Sequence, residues 1–221
     1  MHVTYFTIED ISSGLFRTQV FDVLLKIVDL NRNVKVDILV VNRLWHLKNH
    51  FKSKNELNKV IKNKNIKIIY IPLLPPLKYA LRSHLYSSFI SNILKIIVTI
   101  FCDRKTKLIH SRSYWPTYAA LRAKNYPVIF DMRSLWILEN IATKTLKVDS
   151  SCHNYWTKLE KFCLDNCLFS TVVSEGMKKY VENICSRNNV SLIPISVDIN
   201  RFSYDQFSRD KFRKKLNWAK N

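Results

Sequence analysis

The sequence predicts an α/β fold, a Rossmann-like doubly wound parallel sheet of about seven strands. Short apolar runs alternate with stretches of helical periodicity along the 221 residues. Such alternation favours parallel strands joined by helices that cover both faces of a sheet. Four of the runs end abruptly in polar residues. Because the carboxyl ends of parallel strands line one crevice where ligands bind, these polar residues are expected to face a common cleft.

The first half of the chain contains three of the expected strands, at 2–8, 34–41 and 66–71, the last of them stopped by prolines. Apolar residues at helical spacing predict a helix after the Ser12-Ser13-Gly14 turn, to about Leu30. Ser53 and Glu56 have the spacing of a capping box and predict the start of a short helix through Lys62. A long apolar helix is expected over 77–101.

The second half continues the alternation with four more strands. They are expected at 107–110, 127–132, 168–173 and 190–193. Helices are expected at 115–125, at 150–166, from Ser174 onward and at 203–216. All seven strands fit one sheet, so the sequence predicts one domain.

Composition excludes some classes of enzyme. The chain has two glycines and neither of the Gly-rich phosphate-binding motifs, which argues against nicotinamide-dependent dehydrogenases and P-loop enzymes. Its formal charge of +19 favours partners that carry phosphate: nucleic acid, an anionic membrane or phosphorylated small molecules. Abundant Lys, Asn and Ile, as in proteins of AT-rich genomes, are an alternative source of that charge.

The five cysteines form no disulfide framework, and buried reduced thiols in a cytosolic protein are the expected interpretation. Cysteine and histidine lack zinc-site spacing, so no metal site is expected. The start of the chain resembles a strand rather than a signal peptide. The longest apolar stretch, 90–101, is too short to span a bilayer.

Six segments, in order, resemble one enzyme family. They are Gly14 with Gln19 in the next helix, His110-Ser-Arg112, Phe130-Asp-Met-Arg133, Trp156-Thr-Lys-Leu-Glu160, Val172-Val-Ser-Glu175 and the exit segment 193–202. Over nearly its whole length the chain resembles the N-terminal domain of GT-B glycosyltransferases, in particular glycosyltransferase family four. Order and spacing carry this resemblance, since no single segment is specific. Ser134 and the pair Ile195-Ser196 depart from the family's glycine and asparagine-glycine.

The resemblance implies an acceptor-side domain at 1–202 and a helical linker at 203–221 toward a C-terminal donor domain outside these residues. It implies a retaining enzyme that transfers a sugar from a nucleotide diphosphate sugar to a glycan or lipid-linked acceptor. Neither a metal nor a cofactor is expected. This half alone is expected to be inactive, because the donor-binding residues of the family lie in its second domain.

The resemblance also implies roles for seven residues. Arg112, Asp131 and Arg133 are the expected catalytic residues: the arginines orient substrate or stabilise phosphate charge, and Asp131 accepts hydrogen bonds from sugar hydroxyls. The expected substrate-binding residues are Gly14, His110, Ser174 and Glu175. Alternatives remain open: a simple turn at Gly14, a structural His110, a local Asp131–Arg133 ion pair, and a helix N-cap at Ser174. Tyr114, Trp115 and Trp136 follow strand ends, where aromatic rings either stack on sugars or pack in the core.

Several partners follow from this interpretation. They are the acceptor, the donor domain or a partner chain, and an anionic membrane surface contacted by the lysine-rich region 48–64 or by the helix at 77–101. The expected location is the cytoplasm, at the inner face of the cell membrane. A non-catalytic, membrane-associated subunit of a split glycosyltransferase is the alternative. Nucleic acid is not an expected partner, since no binding motif occurs.

Overall fold

The computed structural model describes residues 1–44, 47–61, 65–123, 126–185, 189–196 and 204–218. Its centre is a seven-stranded sheet in the order β3-β2-β1-β4-β5-β6-β7, and every neighbouring pair is parallel. The strands are β1 (His2–Thr7), β2 (Lys35–Arg43), β3 (Ile66–Leu74), β4 (Leu108–Arg112), β5 (Val128–Asp131), β6 (Phe169–Val172) and β7 (Val190–Leu192). The predicted doubly wound, seven-stranded sheet is confirmed.

Helices connect the strands and cover both faces of the sheet. They are α1 (Gly14–Phe16), α2 (Asp22–Leu30), α3 (Leu47–Val60), α4 (His84–Phe101), α5 (Tyr114–Ala123), α6 (Trp136–Ala142), α7 (Ser151–Asn166), α8 (Glu175–Ile184) and α9 (Gln206–Lys215). A π-helical stretch, Arg17–Phe21, joins α1 to α2. The short helix α6 lies in a segment where the sequence predicted only a loop.

The expected capping box is wrong. Ser53 and Glu56 lie inside α3, which already begins at Leu47. The buried side chains of His50 and Leu57 are seven residues apart and thus on one face of this helix. Burial of that face stabilises helical turns before Ser53. A capping motif depends on neighbouring residues alone and therefore does not predict this extension. The expected end at Lys62 lies outside the described residues.

The expected helix over 77–101 is interrupted. A short 3₁₀ turn, Leu77–Tyr79, precedes α4. Ser83 caps α4, because its hydroxyl accepts a hydrogen bond from the backbone N–H of Tyr86 over 3.2 Å. The described part of the chain has one helix long and apolar enough to cross a membrane by length and composition, and it is α4, with 18 residues and a mean hydropathy of 1.4. A third of this helix is buried inside the protein.

Strand β3 continues through Pro72, where the sequence predicted its end. This strand lies at the edge of the sheet and pairs with β2 alone. A proline cannot donate to a strand ladder, so edge strands are where sheets tolerate it. The extension carries the strand to Leu74, whose side chain lines the cavity described below.

Two hydrophobic cores lie on opposite faces of the sheet. Alternate residues of one strand enter different cores, so Tyr5 belongs to one and Phe6 to the other. This is the period of two that strand geometry imposes. No disulfide joins the five cysteines; Cys185 is half-buried and the others are buried, as expected of core thiols. The described part of α9 buries no residue, and the expected boundary at 202–203 lies outside the described residues.

Candidate functional site

Asp131 lies at the centre of a charged group at the carboxyl ends of the strands. It is the last residue of β5, and only 1% of it is exposed. The hydroxyls of Tyr5 in β1 and Thr171 in β6 donate hydrogen bonds to its carboxylate over 3.3 and 3.0 Å. Donors from strands on both sides therefore hold the carboxylate in one orientation.

Three further side chains surround this carboxylate. The Nε atom of Arg133 lies 2.7 Å from Oδ1, and His110 Nε2 and Arg112 Nη1 lie 3.7 and 3.8 Å from Oδ2. His110 and Arg112 share one face of β4 because they are two residues apart, and strand pairing places Arg112 beside Asp131. We call the group the Asp131 cluster; it comprises Tyr5, His110, Arg112, Asp131, Arg133 and Thr171. Four of the residues predicted for a common cleft are thus brought together.

The electrostatics of the cluster keep Asp131 ionised. Burial alone would raise the pKa of Asp131, but the nearby His110 and the charge of Arg133 outweigh it. The pKa of this carboxyl therefore lies well below its usual range. Burial and the neighbouring carboxylate raise the pKa of the Tyr5 hydroxyl well above its usual value, so Tyr5 stays a protonated donor.

Arg112 ties the cluster to the loop and helix that follow β1. Its Nε donates to Glu9 over 3.1 Å, and its Nη2 donates to the side-chain oxygen of Gln19 over 2.8 Å. Gln19 lies in the π-helical stretch, a distortion that is frequent at functional sites. The Nη1 atom of Arg112 is buried and has no hydrogen-bond partner among the described residues. This arm of the guanidinium interacts with Asp131 through charge, since Oδ2 of that residue is 3.8 Å away.

The other three predicted residues lie apart from this cluster in their contacts. Gly14 begins α1 with an ordinary negative φ, and a Cβ added there would meet no atom within 4 Å. Ser174 is the N-cap of α8, since its hydroxyl accepts from the Met177 N–H over 3.3 Å. Glu175 is exposed beside it. No hydrogen bond or ion pair among the described residues joins these three to the Asp131 cluster.

Ser113 has the left-handed backbone conformation that non-glycine residues seldom adopt, with φ of 75°. It separates Arg112, which enters the Asp131 cluster, from Tyr114 and Trp115 at the start of α5. Its N–H donates to the backbone carbonyl of Asp131 over 3.1 Å, and its own carbonyl accepts from Thr117. These bonds hold an unfavourable conformation of the kind that clusters at functional sites.

A cavity of about 390 Å³ opens on the far side of Ser113. This volume falls in the range of about 300–1,000 Å³ that small-molecule sites occupy. The cavity is bounded by the ends of β1, β2 and β3, by the loops after β1 and β4, by His50 of α3 and by aromatic residues of α5, α6 and α7. Its lining is Thr7, Ile8, Glu9, Asp10, Asn42, Arg43, His50, Leu74, Leu77, Ser113, Tyr114, Trp115, Trp136 and Trp156, and we call it the tryptophan cavity.

Three tryptophans form one wall of this cavity. The ring centroids of Trp136 and Trp156 are 4.3 Å apart, and those of Trp115 and Trp156 are 4.8 Å apart. Trp115 and Trp156 are 6% and 1% exposed, yet neither indole N–H has a hydrogen-bond partner among the described residues. Buried donors are normally satisfied, so two unsatisfied ones on one wall are unusual.

Polar groups also line this cavity, and several of them lie in or beside the loop after β1. The amide of Asn42 donates to the Glu9 carbonyl over 2.8 Å and accepts from the Ile11 N–H over 3.0 Å, which fixes this loop. Asp10 Oδ1 lies 3.2 Å from Nε2 of the buried His50, whose Nδ1 is 2.7 Å from the Tyr70 hydroxyl. Burial acts to raise the pKa of Asp10, but hydrogen bonds from Ser12 and the nearby His50 lower it overall.

The aromatic wall rests on a buried carboxyl group. The hydroxyls of Tyr114 and Tyr180 each donate to Glu160 over 2.8 Å, and Glu160 is 2% exposed. Burial raises the pKa of Glu160, and the two tyrosine hydrogen bonds offset part of that rise. Tyr114 lines the cavity, so this bond orients one of its aromatic side chains.

Sequence reasoning missed the polar residues of the cavity. Asp10, Asn42 and His50 come from three separate segments that only folding unites. Asn42 could have been found from the sequence, because it is a polar residue directly after the apolar run expected as a strand at 34–41. Tyr5 and Thr171 could not have been found in this way, since tyrosine and threonine inside strands are indistinguishable from ordinary core residues in a sequence.

A third group of side chains lies at the opposite, amino-terminal edge of the sheet. Ligating atoms of His2, Asp37 and Asp103 lie within 4.8 Å of one another, and His2 Nε2 is 3.1 Å from Asp37 Oδ2. A hydrogen bond from the Lys105 N–H is the main cause that lowers the pKa of Asp103, and the nearby His2, Lys105 and Lys67 lower it further. The expectation that the protein uses no metal stays a prediction.

No protein-family model and no curated protein matches this sequence. Solved structures do match its fold. Sucrose-phosphate synthase from Thermosynechococcus elongatus is similar over 99% of this chain and 53% of its own, with a TM-score of 0.64 and 13% identity. Arabidopsis thaliana UGT89C1, solved with UDP, is similar over 97% of this chain and 56% of its own, with a TM-score of 0.56 and 14% identity.

A third neighbour catalyses a different kind of reaction. UDP-GlcNAc 2-epimerase from Neisseria meningitidis, solved with UDP-GlcNAc, is similar over all of this chain and 54% of its own, with a TM-score of 0.51 and 12% identity. The chain thus spans about half the length of each of these neighbours. At such identities the likeness establishes the fold and leaves the reaction to the site. The chain has the Rossmann-like fold that makes up one half of GT-B proteins, among them glycosyltransferases.

Proposed function

We propose that this chain is the acceptor-side domain of a retaining glycosyltransferase of the family-four kind. In this proposal a sugar passes from a nucleotide diphosphate sugar to a glycan or lipid-linked acceptor. The observation that carries it is the tryptophan cavity beside the Asp131 cluster, at the carboxyl ends of the strands of half a GT-B fold. An aromatic cavity suits a sugar ring, and adjacent cations suit the charge of a departing diphosphate.

The two arginines of the cluster differ in what they offer a substrate. Arg133 has 24% of its side chain exposed and can contact a phosphate directly while Asp131 holds it. Arg112 is 4% exposed and is held by Glu9, Gln19 and Asp131, so its proposed contribution is a fixed positive charge behind Arg133. Asp131 already accepts two hydrogen bonds and lies close to Arg112, Arg133 and His110. Its proposed role is therefore to position these three side chains rather than to bind sugar hydroxyls.

Gly14, His110, Ser174 and Glu175 remain proposed substrate-binding residues, each with a different support. The open space around Gly14 leaves room for a ligand beside the backbone. His110 has 27% of its side chain exposed at the edge of the cluster. Ser174 and Glu175 lie at the amino end of α8, where backbone N–H groups favour an anion, although Glu175 itself opposes one.

The donor wall of the cleft is proposed to lie in another domain or a partner chain. Isothermal titration with acceptor saccharides should then give heats of binding for these 221 residues, whereas UDP- and GDP-sugars should bind weakly. Tight binding of a nucleotide sugar by this chain alone would contradict the division of labour. No added metal should be needed for saccharide binding, so the titration is repeated with a chelator.

The alternative is a non-catalytic, membrane-associated subunit of a split glycosyltransferase. The two proposals differ in where the donor-binding half of the enzyme is encoded. A reading frame that continues past position 221 into a donor domain supports one chain, and a separate neighbouring frame supports a split enzyme. Either way, mixing the donor half with this chain should restore transfer that neither half performs alone.

Membrane contact has a specific structural support in α4. Leu85, Phe89, Ile96 and Ile100 are 71, 54, 58 and 66% exposed, and their spacing places them along one side of the helix. The opposite side of α4 is buried in the core, which favours lying on a bilayer over crossing it. Helix α4 carries one lysine and no acidic residue, and the chain's charge of +19 suits the anionic inner face of a cell membrane.

Vesicle flotation tests this membrane contact. We expect the chain to float with vesicles that contain anionic lipid, and Leu85→Ser to reduce the floating fraction. Leu30→Ser is the matched control, since Leu30 is 72% exposed at the end of α2. Equal loss of flotation in both variants, or none in either, would contradict docking through α4.

A further inference from the structure

We propose that Cys167 and Cys185 are a redox-active pair, a modification site at which a peroxide converts two neighbouring thiols into a reversible disulfide. Cys167 directly follows the last residue of α7, and Cys185 directly follows the last residue of α8. The new bond joins the carboxyl ends of these two helices. The inference does not depend on the proposed function, because it concerns thiols outside the cavity and the Asp131 cluster.

The two thiols converge on one backbone oxygen. The Sγ atoms of Cys167 and Cys185 each lie 3.5 Å from the carbonyl oxygen of Leu164. The first contact is local, since Cys167 is three residues after Leu164 on the same helix. The second is made by tertiary packing, because Cys185 is 18 positions further along the chain than Cys167. The two sulfur atoms are therefore near neighbours.

Contacts on both sides of the pair hold the two chain segments together. Lys161 Nζ donates to the carbonyl oxygen of Ile184, directly before the second cysteine, over 3.3 Å. The side-chain amide of Asn189 donates to the carbonyl oxygen of Leu168, directly after the first cysteine, over 3.2 Å. Disulfides need Cβ atoms about 3.5–4.5 Å apart, so they form between segments that are already adjacent. The movement required is a rotation of each thiol from the shared oxygen toward the other sulfur.

Exposure decides the order in which the thiols react. Cys185 is half-buried, whereas Cys167 is 2% exposed and Cys163 is fully buried. Burial, and then the nearby Cys167 and Glu160, raise the pKa of Cys163 well above its usual value. Cys163 therefore stays a thiol and does not compete, because the thiolate is the reactive form. A peroxide meets Cys185 first, and Cys167 is the thiol that resolves the product.

The chemistry needs one equivalent of a peroxide and no other reagent. The sulfur of Cys185 attacks a peroxide oxygen, the O–O bond breaks, and a sulfenic acid and one water are formed. The sulfur of Cys167 then attacks that of Cys185, the S–O bond breaks, and a second water leaves as the S–S bond forms. In total the two thiols lose two electrons and two protons, and hydrogen peroxide is reduced to two waters.

The disulfide closes a loop that carries part of the Asp131 cluster. Between the two cysteines lie β6, whose Thr171 donates to Asp131, and α8, which begins beside Ser174. A cross-link across this loop restricts the unfolded chain and opposes local opening of the segment 168–184. Oxidation should therefore stabilise that segment. In the proposed cytoplasmic location thiols are kept reduced, so the bond is suited to a transient, redox-sensing role.

The test treats the reduced 221-residue chain with hydrogen peroxide, alkylates the remaining thiols and maps the peptides by mass spectrometry without reduction. We expect one peptide pair that joins Cys167 to Cys185, a loss of two of the five thiols, and full recovery with dithiothreitol. The melting temperature should rise by about 5–10 °C on oxidation. Hydrogen exchange of the backbone amides in 168–184 should become slower.

Three alanine variants locate the effect. Cys167→Ala and Cys185→Ala should each abolish the cross-link and the rise in melting temperature. Cys152→Ala is the matched control, since Cys152 is also a buried cysteine and lies near the start of α7. It is fifteen residues before Cys167, about 22 Å along the helix, and its loss should leave the cross-link intact.

Each outcome decides the matter. The mapped cross-link, lost in the two variants of the pair and kept in Cys152→Ala, supports the proposal. Oxidation of Cys185 to a sulfinic or sulfonic acid without a cross-link overturns it, and so does a disulfide between two chains or one that uses Cys163. A cross-link that changes neither the melting temperature nor the exchange of 168–184 overturns the stabilising effect.

Two features keep the test decisive. If a variant does not fold, peptide mapping of the natural chain still shows which cysteines are joined. Failure of the redox pair also leaves the proposed function standing, because saccharide titration tests that function separately.

Discussion

The Asp131 cluster and the tryptophan cavity share one edge of the sheet but treat their polar groups differently. In the cluster, a buried carboxylate accepts two hydrogen bonds and lies near two arginines and His110. In the cavity, two buried indole donors have no partner in the described part of the chain. A group of opposite charges holds its side chains in place, whereas an open cavity with an aromatic wall has room for a ligand.

The largest expected effect comes from removing the carboxylate of the cluster. Asp131→Ala leaves Arg112 and Arg133 without their shared negative partner inside the protein. Breaking a buried ion pair in this way costs about 3–5 kcal/mol of unfolding free energy. Urea denaturation measures it, with the neighbouring Thr171→Val as a milder control that removes one donor. A loss below about 1 kcal/mol would mean that the cluster contributes little to stability.

The same cluster predicts a dependence on acid. The folded-state pKa of Asp131 is depressed, so its stabilisation is complete above the unfolded pKa of about 3.9 and is lost as the pH falls through the folded value. The natural chain should therefore lose stability below about pH 4 more steeply than Asp131→Asn. Parallel slopes for the two proteins in acid unfolding would contradict this role.

The buried carboxyl under the cavity wall should behave in the opposite way. The pKa of Glu160 is raised in the folded state, so its favourable contribution is complete below the unfolded pKa of about 4.3 and is lost as the pH rises through the folded value. Glu160→Gln should cost about 1–2 kcal/mol in mild acid, with a smaller cost at neutral pH. Chemical denaturation at two pH values checks it; a cost that grows with pH would show that the assigned direction is wrong.

The smallest effect on stability is expected in the cavity itself. Trp115→Phe loses some packing because phenylalanine is smaller than tryptophan, but it also removes a buried N–H that has no partner among the described residues. The loss of packing and the relief of the unsatisfied donor largely offset each other. We expect a change below about 1.5 kcal/mol, as for tolerated core substitutions. Thermal unfolding measures it. A much larger loss would assign the tryptophans to core stability and weaken the contrast between the two regions.

The sequence predicted the charged region better than the cavity. His110, Arg112, Asp131 and Arg133 each lie at or near a strand end, where a simple rule on parallel sheets applies. Their partners Tyr5 and Thr171 lie within strands, and the pattern of apolar residues does not distinguish a buried hydroxyl that bonds a carboxylate from one that only packs. The helix errors have a related cause: burial of His50 and Leu57 extends α3 beyond its apparent capping box.

By itself, the sequence determined the seven alternating strands, the doubly wound class and the strand ends that carry charge, because hydrophobic periodicity and sheet geometry are local rules. Only the tertiary structure decided that Asp131 is enclosed by its neighbours and that Trp115 and Trp156 line one cavity together with Glu9 and Asp10. Those facts depend on packing between segments far apart in the chain. Such packing between distant segments produces no periodic pattern of residues, so a single sequence does not reveal it.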